Sequence, residues 1–305
     1  MRTLATFTIL ALSLAACDRE PAPAPETPTA ATKLVAPGSA PTRTLAYAPA
    51  RGAKQAATLT TSVAIGMVFD GAGRPDTLLP SLRSDIDAEV GDLTSGGFKL
   101  RFAIGGIELV SAPGVDESAA VGLRKEIERQ NPVGLSGNAE RASNGASRSL
   151  DFAPPRGAGA TLRQMLGDLR YAIAELPVIL PDDAVGADAE WTWMQRGGAR
   201  DMQITEDAKA KLVRFDGDRA VIAIDSVLRA APQTIALPGI PGDSQCELVS
   251  LDGTRRGEIT FDPALPLPAA ASIETVMNLA LRVRLKGEVK AMSGHVVVRT
   301  TWTPR

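Results

Sequence analysis

Apolar and polar positions alternate over most of the chain, in runs bounded by turn residues. Thr58 to Phe69 is rich in Thr, Val and Ile and ends at Asp70-Gly71. Phe98 to Ile104 alternates with the period of a half-buried strand. Val213 to Phe215, then Asp216-Gly217-Asp218, then Ala220 to Ile224 reads as a hairpin with its turn residues in place. Met277, Leu279, Leu281, Val283 and Leu285 alternate with Asn278, Ala280, Arg282, Arg284 and Lys286, and His295 to Trp302 forms a last strand. Two segments change period. Glu117 to Gln130 carries Leu123 and Ile127 on one helical face and stops at Asn131-Pro132. Thr161 to Leu176 sets Leu162, Met165, Leu166, Leu169, Ile173 and Leu176 at helical spacing, with Thr161 placed to cap it and Pro177 to end it.

This pattern predicts a mainly β (α+β) chain: curved antiparallel sheet with two amphipathic helices. Asp85 to Ile104 and Glu206 to Ile224 both give strand, Gly-containing turn, strand, and Gly145 to Phe152 resembles Gly253 to Phe261 in the same order. Two repeated half-barrel-like units, residues 44–180 and 181–305, would explain this. So would the similarity of any two hairpins under alternation, and both accounts stay open.

The start of the chain has a different character. Arg2 gives a basic start, Leu4 to Leu14 is mostly apolar, and Leu14-Ala15-Ala16-Cys17 follows. These are the parts of a secretory signal, residues 1–16, and the apolar run is too short to span a bilayer. Leu14, Ala15, Ala16 and Cys17 resemble the bacterial lipobox. That resemblance implies a lipoprotein precursor, cut before Cys17 by the lipoprotein-processing machinery and acylated on its thiol. Several acyl chains, at about 0.8 kcal/mol per buried methylene, would anchor it stably to the membrane. Asp18 resembles an inner-membrane retention signal and equally reads as the first linker residue, so the choice of membrane stays open. Residues 17–43 carry the lipidated cysteine and a Pro/Ala/Thr-rich linker, with proline at 21, 23, 25, 28, 37 and 41. Extended at about 3.1 Å per residue, the linker would reach roughly 80 Å. The β-rich body is expected over 44–305.

Composition narrows the chemistry. The formal charge is −2 without any basic block, so nucleic acid is not an expected partner. With Cys17 acylated, Cys246 is left without an intramolecular partner and reads as a buried structural thiol. The one histidine, His295, would have to serve any Ser-His-Asp set. Gly242-Asp243-Ser244 superficially resembles the nucleophile block of a lipase or esterase family, which needs an acid three residues before its histidine; Met292 stands there. Gly134-Leu135-Ser136-Gly137 lacks the spacing of a nucleophile elbow. Asp182, Asp183, Asp188 and Glu190 are oxygen donors in one loop, but their spacing matches no calcium loop. Gly157-Ala158-Gly159 opens a helix without the lysine of a P-loop. Trp191 and Trp193 share one strand face and read as core. No catalytic, metal or cofactor site is expected.

Leu180 to Trp193, a proline-acidic turn, Val-Gly and a tryptophan opening a strand, is similar to a segment of uncharacterised secreted and lipid-anchored bacterial proteins, as are Leu45-Ala46-Tyr47 and the entry at Gly52. The resemblance implies architecture and a location in the cell envelope, facing the periplasm, and no activity. Three functions follow as expectations: a non-enzymatic envelope lipoprotein binding an apolar ligand or a partner protein, a structural or assembly lipoprotein without a small-molecule ligand, and a hydrolase. In the first, the helix Thr161 to Leu176 covers the concave face of a half-barrel. The bland alternative packs that helix on a filled core.

Overall fold

A computed structural model describes residues 31–305 except 70–71, 74–76, 112–113, 116, 155, 199–201, 236–244 and 286–287. The signal, the lipobox with Cys17, Asp18 and the first part of the linker lie outside the described residues, as does Gly242-Asp243-Ser244.

The strands are β1 Thr32–Ala36, β2 Ser39–Arg43, β3 Lys54–Phe69, β4 Ala72–Gly73, β5 Thr77–Leu78, β6 Ser81–Thr94, β7 Gly97–Val110, β8 Ser136–Ala142 and β9 Ser147–Phe152. After them come β10 Val185–Ala187, β11 Glu190–Gly197, β12 Ile204–Asp216, β13 Arg219–Ala230, β14 Gln233–Ile235, β15 Gln245–Phe261, β16 Ala270–Leu285 and β17 Glu288–Pro304. Two helices interrupt them, α1 Glu117–Gln130 and α2 Ala160–Glu175. The main sheet runs β1-β11-β12-β13-β15-β16-β17-β3-β6-β7-β8-β9, every neighbour antiparallel. Its edges, β1 and β9, do not pair with each other, so the sheet is not a closed barrel.

The sheet has to curl. Laid flat, the ten steps from β11 to β9 would span about 48 Å at ~4.8 Å per step. Yet Trp191 of β11, Phe152 of β9 and Leu162, Leu169 and Ile173 of α2 belong to one buried cluster. Hydrogen bonds tie both ends of the sheet to the same helix and its exit: Trp191 Nε1 donates to Ile179 O at 2.7 Å, and Arg141 Nη2 of β8 to Ile173 O at 2.9 Å. The helix therefore sits inside the curve. All six of its patterned apolar residues, Leu162 to Leu176, are buried with Phe98, Leu100, Phe102 and Phe261, so α2 packs on a filled core and not over a hollow one. The helix starts at Ala160, one residue before the expected Thr161, and its N-cap is Gly159, with no side chain capping it.

The expected linker through residue 43 is corrected at its end. Thr32–Ala36 pairs with β11, and Leu34 packs on the main core. Ser39–Arg43 pairs with β10 in a separate two-stranded sheet. Pro41 does not prevent this, because β2 is a short strand in a two-stranded sheet and so lies at an edge, while β1 contains no proline. The Val-Gly of the recognised segment has a steric reason here: a Cβ on Gly186 would lie 1.8 Å from Ser39 O.

The hairpin β6/β7 lies between β3 and β8 in the main sheet, and the hairpin β12/β13 between β11 and β15; Gly145 to Phe152 lies on β9, two places from β7, and Gly253 to Phe261 on β15, beside β13. The neighbour of β7 is β8.

Candidate functional site

Strand parity separates the two faces. The outer face carries a ladder of opposite charges in one row across five strands: Lys209, Asp225, Arg256, Glu274 and Arg299. Arg256 Nε lies 3.2 Å from Asp225 and Arg299 Nε 2.7 Å from Glu274, while Lys209 also reaches Glu190 at 2.7 Å. This row is charged throughout, while the next outer row, Val227, Thr254, Val276, Val297 and Ala64, is mostly apolar.

The inner face is apolar at both ends and polar between them. Beyond the main core lies a second cluster of Ile204, Leu228, Cys246, Leu248, Leu251, Leu281 and Val283. Between the two clusters, register brings together inward residues that break the apolar alternation. Gln195 faces Glu206, and Ser226 faces Arg255. The C-terminal end of α2 adds Glu175. Arg255 Nη1 donates to Glu175 Oε2 at 2.8 Å and to Glu206 at 3.2 and 3.3 Å, and its Nη2 donates to the main-chain carbonyl of Glu175. Gln195 Nε2 donates to Glu175 Oε2 at 3.1 Å and Glu206 Oε2 at 2.6 Å. One guanidinium thus ties a helix end, which carries the negative pole of its dipole, to two strands.

The carboxylates are unequal. Side-chain exposure is 6 % for Glu206 and 19 % for Glu175. Burial pushes the Glu175 carboxyl up to about 7; Arg255 opposes the shift and the Glu206 charge adds to it. Glu206 is buried too, but Arg255, Ser226 and Gln195 hold it below the usual carboxylate range. Tyr171, one turn back on α2, is raised by burial and by Glu175. On the other side of the helix end, Arg141 is buried and lowered to about 10 by that burial. It donates to Ile173 O and Gly145 O, so β8 and β15 each send a guanidinium to the last carbonyls of α2.

Beside this cluster the inner face is open. Arg255 continues in register to Thr275, Val298 and Val63, and the next row runs Gly253, Met277, Val296, Ile65. Leu279 and Met67 lie one row further, flanking Gly294. The side chains of this strip on β16, β17 and β3 are half-exposed and mostly apolar.

The residues singled out by sequence lie elsewhere. His295 is on the outer face, with Nδ1 2.9 Å from Asn278 Oδ1, and Asn278 Nδ2 donates to Asp252 Oδ2 at 3.2 Å. Asn278 thus holds the nitrogen that a carboxylate orients in a Ser-His-Asp set. Ser250 and Ser293 line the same depression of about 330 Å³. Met292 packs on the second cluster, where Cys246 is buried and its thiol raised by that burial. In the acidic loop, Asp188 pairs with Lys211 at 2.9 Å and Glu190 with Lys209, and Asp182 and Asp183 are exposed turn residues. Gly134 and Leu135 form the turn that bonds Ile104 before Ser136 opens β8. Gly157 has φ +80° at the entry to α2. Trp191 and Trp193 are core. Reasoning from sequence missed Glu175, Gln195, Glu206, Arg255 and Arg141. The signal was present for the last three, each a charged residue in the inward phase of a strand.

No helix among the described residues is long and apolar enough to cross a membrane. No family model matches the chain, and no curated protein matches it. Among solved structures, the crystal structure of Pseudomonas aeruginosa OpdQ is similar at 8 % identity and a TM-score of 0.21, over 82 % of this chain and 98 % of that one, too slight a likeness to carry an argument.

Proposed function

We propose that the protein is a non-enzymatic envelope lipoprotein, tethered through Cys17 and facing the periplasm, which holds an apolar ligand on the concave face of an open half-barrel. The observation that carries the reading is the half-exposed apolar strip on β16, β17 and β3, on the same face as the core and facing away from the charged outer ladder. A water-facing sheet normally alternates apolar-in and polar-out, with the inner side covered. Here α2 covers the inner side only in part, and the strip is left for something else to cover.

The filled core under α2 favours a second reading, a structural or assembly lipoprotein whose partner protein covers the strip. Native mass spectrometry of the protein purified from membranes separates the two. A bound lipid-sized mass that Ile65→Asp removes supports the ligand reading; a ligand-free chain that cross-links in cells to one protein through this face supports the partner. The anchor is tested apart from both. Cys17→Ser should abolish fatty-acid labelling and release the chain from the membrane fraction; continued labelling would rule the lipobox out.

A further inference from the structure

We propose that the protein docks on the bilayer to which it is tethered, with the end of the sheet where β16 passes into β17 against an anionic lipid surface, and takes its ligand from that bilayer. This rests on the apolar-ligand reading above and deepens it by naming the source of the ligand. Strand direction decides which end faces the membrane. β1 runs antiparallel to β11, with Thr32 opposite Trp193 and Ala36 opposite Glu190. The chain before Thr32 therefore leaves the sheet at the end where β11 stops at Gly197. Register places the start of β12, the end of β13, the start of β15, the end of β16, the start of β17 and the end of β3 at that same end. The roughly 14 residues from Asp18 to Ala31 reach about 43 Å at ~3.1 Å per residue. A lipid on Cys17 thus draws this end toward the headgroups.

The chemistry of the two ends differs in the sense an anionic surface requires. At the tether end, Arg196 and Arg284 are exposed and form no ion pair among the described residues. Arg282 and Lys290 stand there too, with Glu247 and Glu288 at 3.7 and 3.9 Å. At the opposite end, Asp182, Asp183, Asp216, Asp218 and Asp262 gather at the turns, with Arg43 and Arg219 paired to two of them. Basic residues within a Debye length of an anionic leaflet are attracted to it. The tether end is also apolar. Val289, at the start of β17, is 56 % exposed, and Val68 near the end of β3 is exposed beside it in the sheet. The second cluster sits here, rimmed by the half-buried Met202, Met277, Leu279 and Met292, and unbranched thioethers adapt readily to an acyl chain. From this rim the strip runs through Met67, Ile65 and Val296 to Val63 and Val298 in the Arg255 row. The strip therefore reaches the end at which the membrane is held.

The test uses the full chain carrying Cys17→Ser, so that no anchor holds it. Its co-sedimentation is measured with vesicles of phosphatidylethanolamine and phosphatidylglycerol, three to one, and with vesicles of phosphatidylcholine. Binding to the anionic vesicles is expected to be at least tenfold the stronger. Arg284→Glu should weaken it about tenfold or more, and Val289→Asp should weaken it as well. Arg51→Glu, an exposed position at the opposite end, should leave it within twofold. No preference for anionic vesicles overturns the docking, and an equal loss from Arg51→Glu and Arg284→Glu overturns the orientation. The unsubstituted comparison of the two vesicles decides the first point even where a substitution unfolds the chain. Native mass spectrometry of the membrane-purified chain tests the apolar-ligand reading without vesicles, so a chain that carries a lipid-sized mass and binds no vesicle sinks the docking alone.

Discussion

Replacing Arg255 by methionine removes the group on which the inner polar cluster depends. The substitution keeps the volume and apolar stem and deletes the guanidinium. Glu175 and Glu206 are then left with Gln195 as their shared donor, at 3.1 and 2.6 Å, and the Glu175 carbonyl loses its partner. Removing one side of a buried ion pair costs about 3–5 kcal/mol, because the remaining charge stays desolvated. Glu175 can relieve part of this by taking up a proton, since it already titrates near neutrality. The expected loss is therefore about 4 kcal/mol at pH 8 and about 2 kcal/mol at pH 6, on the scale of that same penalty. Urea unfolding of the Cys17→Ser chain, with and without Arg255→Met, measures it through the shift in midpoint at constant slope. Adding Glu206→Gln should recover a large share, since the uncompensated charge is then gone. A loss under about 1 kcal/mol, or one that is equal at the two pH values, would refute the buried-cluster reasoning.

Stability should also report on Glu175 directly. Its folded carboxyl is raised to about 7, so the unfolded chain releases that proton first. The stabilisation is full below the ordinary carboxyl range, near pH 4.3, and is lost as pH rises through about 7. At most about 3.5 kcal/mol is involved at ~1.36 kcal/mol per pH unit. Glu206 acts with opposite sign: its depressed carboxyl adds stability that is lost as pH falls below the ordinary range. A melting-temperature series across pH 4.5 to 8 should fall toward high pH, and Glu175→Gln should flatten that limb. Cys246, buried in the second cluster with a raised thiol, should react with a disulfide reagent only on unfolding. Fast labelling of the native chain would contradict its placement.

How far the sequence revealed the structure depended on which force set each feature. The hairpin around Asp216-Gly217-Asp218 and both helices were legible because period and turn chemistry are local. The strands at Thr32–Ala36 and Ser39–Arg43 were not, since they lie in a Pro/Ala/Thr-rich stretch that reads as an extended linker and only pairing with β11 and β10 makes them strands. Alternation identified the hairpins β6/β7 and β12/β13, but which strand neighbours which is decided by tertiary pairing: Gly145 to Phe152 lies two places from β7, and Gly253 to Phe261 lies beside β13. Arg141, Glu206 and Arg255 showed as charges in an inward phase, whereas Glu175 is an acid at a helix C-terminus, where the dipole disfavours it but does not specify its partner. Its role depends on α2 ending between β12 and β15, which no local pattern encodes.

The central claim is that the inner face of β16, β17 and β3 holds an apolar ligand, and cross-linking in cells tests it most directly. A photo-reactive residue at Val296 looks onto the inner strip, and one at Val297, next along the strand, looks onto the outer face. The account predicts a lipid-sized adduct at position 296 and none at 297. Equal labelling at both positions, or a protein-sized adduct alone at 296, would contradict it.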